Sequence, residues 1–145
     1  SQACLVLEAN ARSKGMTLRR HTQVLPLMPF DPSVVRAVVF NLVTNAIQAC
    51  SSGDTITVTL GLDASRSQLV LAVEDTGCGM SVETLARCRD LFFTTKSNGS
   101  GLGLALCDAA ARAADGSLTL QSAPGRGTVA TLCIPLNAGR MERAS

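Results

Sequence analysis

Three groups of residues in this 145-residue chain have types and spacing suited to chemistry. Asp75 ends a run in which Leu69, Leu71 and Val73 alternate with other residues, so it points to the buried side of a strand. An inward carboxylate is costly unless it meets a donor. The amino group of an adenine is such a donor, and a turn-capping role is the plainer alternative. Asn41 and Asn45 lie four apart, hence on one helical face among apolar neighbours. A hydrated divalent cation carrying phosphates would satisfy both amides, because Mg2+ takes oxygen ligands; nearby backbone would satisfy them too. The third group is glycine: Asp75-Thr76-Gly77-Cys78-Gly79, Gly99-Ser100-Gly101-Leu102-Gly103 and Gly125-Arg126-Gly127-Thr128. Any one cluster reads equally well as a turn. The second runs straight into a helical pattern, where N-terminal amides and close-approach glycines make a phosphate site.

The elements that must hold these residues follow from hydrophobic periodicity. Residues 2–13 read as a short helix stopped near Gly15, and residues 16–23 as a strand with Arg19 and Arg20 in its middle. Asp31-Pro32 starts the strongest helix, an acid at the N-cap and proline at the first helical position. From there Val34, Val35, Val38, Val39, Leu42, Val43, Ala46 and Ile47 recur at spacings of three and four, to about Cys50. Residues 54–63 and 68–75 alternate with period two and read as a hairpin. Ser81 caps a helix to about Asp90, and residues 92–100 read as an irregular loop. An alanine-rich helix over 101–114 closes at Gly116, and residues 117–123 and 128–136 form a last hairpin. Paired strands with helices between them predict an α+β fold: a two-layer α/β sandwich whose mixed, mainly antiparallel sheet is covered by helices on one face.

Composition narrows the classes. Thirteen Lys and Arg against eleven Asp and Glu give no broad electrostatic case for nucleic acid or an anionic membrane. Four Phe with no Tyr or Trp leave few platforms for stacking bases of single strands. Six cysteines without a C-x-x-C pair and a single histidine, His21, lack the usual zinc spacing. Most of these cysteines sit in apolar runs, which reads as buried, reduced thiols in a cytosolic protein. No apolar run reaches the length of a membrane span and no signal peptide is evident. The chain opens on Ser1, which reads as a piece of something longer, whose remainder could carry a membrane anchor.

In order, the chain carries Asn41-Leu-Val-Thr-Asn45-Ala46, Asp75-x-Gly77-x-Gly79, Phe92-Phe93-Thr94-Thr95-Lys96, Gly99-x-Gly101-Leu102-Gly103-Leu104 and Gly125-x-Gly127-Thr128. This series resembles the N, G1, F, G2 and G3 boxes of the catalytic, ATP-binding domain of sensor histidine kinases, over about residues 2–136. The lid and the run Asn45-Ala46-Ile47-Gln48-Ala49 look most like the nitrogen-regulatory type. The resemblance implies the Bergerat fold, ATP and Mg2+ as ligands, and transfer of the γ-phosphoryl group to a histidine of the parent protein for relay to a response regulator receiver domain. It implies that Asn45 ligates Mg2+ with Asn41 in support, and that Asp75 accepts the adenine amino hydrogen beside Gly77 and Gly79. Gly99, Gly101 and Gly103 with Leu102 would hold phosphates at the helix start and hinge the lid, and Thr95, Ser100 and Leu104 would also bind the nucleotide. Lys96 would reach toward the γ-phosphate, and Thr128 would help bind adenine. Hydrolysing relatives carry a Glu where Asn41 stands; an amide has no useful proton affinity, so transfer is expected and not hydrolysis.

Some positions depart from the pattern. Arg89 and Leu91 replace the first Phe and the Pro of the F box, and Gln48 stands where many members carry a basic residue. His21 and Pro26 copy the spacing of the phosphoacceptor box, but no acid follows His21 and the stretch reads as strand. The acceptor and its dimerisation helices are therefore expected upstream, in a homodimeric parent. Residues 1–14 would lead out of them, 15–137 would form the ATP-binding domain, and 138–145 a polar tail. The alternatives are a serine kinase of the anti-sigma-factor type and a non-catalytic adaptor of the same fold. Asp75-Thr76-Gly77 also spells the aspartic-protease triplet, which leaves the remaining glycines unexplained.

Overall fold

Period-two alternation organises the sheet. The computed structural model describes residues 2–22, 32–63, 67–88, 90 and 103–135. Along the chain these form α1 (Gln2–Ser13), β1 (Thr17–Thr22), α2 (Pro32–Ala49), β2 (Thr55–Asp63), β3 (Gln68–Asp75), α3 (Val82–Arg87), α4 (Gly103–Ala113), β4 (Ser117–Ser122) and β5 (Thr128–Pro135). The strands lie in the order β1-β2-β3-β5-β4. Only β1 and β2 run parallel, with α2 in the crossover such a pair requires; the other pairs are antiparallel. This is the expected mixed, mainly antiparallel sheet.

Register stacks the covered face in rows across the strands. Leu62, Leu69 and Ile134 form one row, and Leu60, Leu71, Leu132 and Leu118 the next. Val58, Val73, Ala130 and Leu120 form a third. Against these rows α2 lays Val35, Val38, Leu42, Val43, Ala46 and Ile47, while α1 adds Leu7 and Ala11 and α4 adds Cys107 and Ala111. Each fully buried aliphatic side chain of this kind contributes about 1.5–3 kcal/mol. The fourth row breaks the apolar pattern: Ile56, Asp75, Thr128 and Ser122. The covered face thus ends in polar groups at one edge, and the candidate site is built there.

Arg20 falls on the covered face in register with Val58, where its guanidinium meets Glu8 of α1 at 3.3 Å. Thr17, Arg19 and His21 take the opposite face by alternation. Two expectations need correction. The helix over 103–113 is closed by Asp115, which takes the left-handed conformation (φ 60) while Gly116 N bonds Ala111 O at 2.8 Å. Gly116 is needed because a Cβ there would collide with the Cys133 carbonyl. The five cysteines whose side chains are described are all free, yet only Cys88 and Cys107 of them are buried. Cys133 alternates onto the face opposite the helices, Cys50 lies just past α2, and Cys78 is exposed in the turn after β3.

Candidate functional site

Asp75 is the only buried charged or polar residue among those described, 6% exposed at the end of β3. Its Oδ1 accepts the Gly77 amide at 2.9 Å, which folds the chain back immediately after the strand. The turn then lies against the end of α2, where the Cys78 amide donates to Ala49 O at 3.0 Å. Gly77 admits no side chain, since a Cβ would strike the Ala49 carbonyl. Position 77 therefore keeps bare backbone beside the Asp75 carboxylate.

Two polar clusters fix this turn from either side. Asp54 accepts Ser51 N at 2.7 Å through Oδ2 and the Thr76 hydroxyl at 2.9 Å through Oδ1; Thr76 Oγ1 in turn accepts Thr55 N at 3.0 Å. Across the turn, Ser122 Oγ accepts Met80 N at 2.8 Å, donates to Gly127 O at 2.8 Å and lies 2.8 Å from Thr128 Oγ1. Gly125 N donates to Cys78 O at 2.8 Å. Gly79 and Gly127 both have positive φ (69 and 74) and pack where a Cβ would meet the carbonyls of Ala123 and Asp75. The first and third glycine clusters thus form one stitched unit. Ser122 and Asp54 belong to it and were not legible as site residues. The signal for Ser122 was its place directly across the hairpin from Thr128.

The helical side of the site comes from α2 and α4. Asn41 Nδ2 donates to Ala37 O at 3.1 Å, which turns Oδ1 away from its own helix. A Cβ built on Gly103, the first residue of α4, would lie 3.7 Å from Asn41 Oδ1, 3.6 Å from Asn45 Nδ2 and 3.8 Å from Asn45 Oδ1. Both amides therefore converge on the N-terminus of α4. Thr44, beside them on α2, has a buried Oγ1 with no hydrogen-bond partner among the described residues. Leu104 packs half-buried against the core, and Gln48 is exposed. Cys50, just past α2, is pushed up to about 11 by burial and then by the nearby Asp75 and Asp54.

Asn41, Asn45, Asp75, Gly77, Gly79, Gly103, Leu104 and Thr128 all occupy this end of the molecule, on β3, β5, the turn after β3, and the facing parts of α2 and α4. Thr95, Lys96, Gly99, Ser100, Gly101 and Leu102 lie outside the described residues, as do Arg89 and Leu91. Among the described residues no group of three His, Cys, Asp or Glu could hold a metal, and no helix is long and apolar enough to cross a membrane.

Residues 30–138 match the family described as histidine kinase-, DNA gyrase B-, and HSP90-like ATPase. The chain is 54% identical over 98 residues to the sensor protein kinase FleS of Pseudomonas aeruginosa, covering 68% of this chain and 24% of that protein. It is 37% identical over 107 residues to the signal transduction histidine-protein kinase AtoS of Escherichia coli, covering 74% of this chain and 17% of that protein. It therefore spans a quarter or less of either relative. Among solved structures, the catalytic domain of the histidine kinase ThkA superposes with a TM-score of 0.79 at 25% identity, covering 93% of this chain and 88% of that one. Full-length ShkA in complex with AMPPNP has the same fold, with a TM-score of 0.79 at 24% identity over 92% of this chain and 28% of that one.

Proposed function

Because the chain belongs to the histidine kinase-, DNA gyrase B-, and HSP90-like ATPase family, we propose that it binds Mg-ATP between the turn after β3 and the facing ends of α2 and α4. From there it donates the γ-phosphoryl group to a histidine of a larger sensor kinase. The observation that carries this reading is the buried Asp75 carboxylate, set beside bare glycine backbone at the polar edge of an otherwise apolar sheet face. Asp75 accepts the adenine amino hydrogen, and Thr128, oriented by Ser122, assists at the same base. The backbone amides that open α4 at Gly103 face the phosphates. The same reading assigns phosphate binding to Gly99, Gly101 and Leu102, nucleotide binding to Thr95 and Ser100, and positive charge for the γ-phosphate to Lys96.

The residues fit a magnesium ion. Asn41 and Asn45 offer neutral oxygen donors at one point, and the Ala37 contact holds the Asn41 oxygen on the side of α4. Asn45 would be the ligand, with Asn41 in support. When bound, the ion supplies neutralisation of phosphate charge. No side chain on α2 can remove a proton from water, because Asn41 and Gln48 are amides. The chain therefore positions ATP for a nucleophile brought by another segment.

That segment is a dimerisation and histidine phosphotransfer domain of the parent protein, a homodimer, and the phosphoryl group passes on to a response regulator receiver domain. Residues 1–14 lead out of that region, 15–137 bind ATP, and 138–145 form a polar tail, all on the cytoplasmic side. Calorimetric titration of the chain with Mg-ATP and ADP tests the nucleotide reading. Saturable binding is expected, and no heat at millimolar nucleotide from a folded sample would sink it.

A further inference from the structure

The turn after β3 holds a chemical feature that nucleotide binding does not use, a thiol on each side of its contact with α2. The Cys78 amide bonds the carbonyl of Ala49, the residue that precedes Cys50. A single 3.0 Å hydrogen bond of this kind keeps the Cα atoms of residues 50 and 78 within about 7 Å, compatible with the span of a disulfide. Both thiols are free; Cys78 is exposed, with Sγ only weakly held 3.5 Å from Gly79 O, and Cys50 is half-buried behind it. The Cys50 thiol also responds to charge on Cys78, in keeping with this proximity, and its raised value keeps it protonated near neutral pH.

We propose that Cys50 and Cys78 form a peroxide-responsive dithiol, whose closure to a disulfide bolts the Gly77–Gly79 turn to the end of α2 and weakens nucleotide binding. The exposed Cys78 reacts first: its sulfur takes one oxygen from hydrogen peroxide, giving the sulfenic acid and one water. The Cys50 sulfur then attacks Cys78 sulfur, the S–O bond breaks, the S–S bond forms, and a second water leaves. Two thiols and one peroxide thus yield one disulfide and two waters. The bond draws the two Cβ atoms to about 3.8 Å. Gly77 lies close enough to the Ala49 carbonyl that not even a Cβ would fit between them, so the turn has little room to move toward α2. Its backbone shifts relative to Asp75, where the base must lie.

The effect on affinity rests on the nucleotide reading; closure of the disulfide does not. Trypsin separates the two cysteines into peptides 37–66 and 67–87, each with a single cysteine. Peroxide treatment of the folded chain should link these peptides with loss of two hydrogens, and dithiothreitol should release them. A Cys50→Ser chain should give no link and leave Cys78 trappable by dimedone as the sulfenic acid. ATP affinity, measured by calorimetry, should fall about tenfold on oxidation and recover on reduction, a change of about 1.4 kcal/mol. Failure of the link to form in folded protein overturns the proposal, and a link without change in affinity overturns its regulatory half. If the reduced chain binds no ATP, the nucleotide reading and the coupling fall together, while the peptide map still decides whether the dithiol closes.

Discussion

Asp75 combines two demands that seldom meet in one side chain, burial at 6% exposure and an ionisable group. Its Oδ1 is committed to the Gly77 amide, a bond that an asparagine oxygen can also accept. Asp75→Asn should therefore keep the turn while losing a charged acceptor for the base. A hydrogen bond to a charged group is worth about 1.5–3 kcal/mol, so ATP affinity should fall roughly ten- to hundredfold. Calorimetry beside a melting curve separates the two effects; affinity kept within twofold would remove Asp75 from the site. Thr44 is the opposite case, a buried hydroxyl without a partner among the described residues. An isosteric apolar replacement removes an unsatisfied group, so Thr44→Val should be neutral or stabilise the ligand-free chain by about 1 kcal/mol. A lowered melting temperature would show that the hydroxyl has a structural partner.

At the scale of elements, what was legible in the sequence was whatever depends on local periodicity. The spacing along α2 and the alternation of β2, β3 and β5 marked helix, strands and covered face, and so the inward turn of Asp75. Contacts between distant segments left no local trace. Asp54 holds Thr76 from 22 residues away, and Ser122 reaches Met80 across 42. Arg20 interrupted its strand as a charge with no visible purpose until Glu8 of α1 was set over it. Cys107 shows how an element's packing reaches into pH dependence. Burial of α4 against α2 pushes its thiol from 9.0 up to about 12. Below pH 9 the thiol is neutral whether folded or unfolded. Above it the unfolded chain releases the proton and the folded chain does not, so stability declines as pH rises toward 12. The slope from this group reaches at most about 1.4 kcal/mol per pH unit. Urea midpoints between pH 8 and about 10.5 should fall more steeply for the wild type than for Cys107→Ala, which carries a pH-independent cavity cost. Parallel curves would show that the thiol does not contribute.

The sheet divides the whole molecule into two sides, and the only histidine is on the wrong one for self-transfer. Alternation along β1 puts Leu18 and Arg20 on the helical side, beside Ile56 and Val58, and turns His21 to the opposite face in register with Thr59. Asp75 and Thr128 point to the covered face, and Asn41 and Asn45 come from the helical layer above it. For His21 to meet a phosphoryl group held there, β1 would have to leave its parallel pairing with β2, and Leu18 and Arg20 would leave their places beside the core. The chain should consequently bind Mg-ATP without labelling itself. Incubation with ATP labelled at the γ-phosphate should leave it unmarked, and His21→Asn should change neither that result nor nucleotide affinity. Label should appear on a separately supplied dimerisation and phosphotransfer segment that carries a histidine. That label should be lost in acid and survive base, as a phosphoramidate bond does. Acid-stable label would point to a serine acceptor, and label on His21 of the isolated chain would mean that the two faces of the sheet do not confine the chemistry as argued.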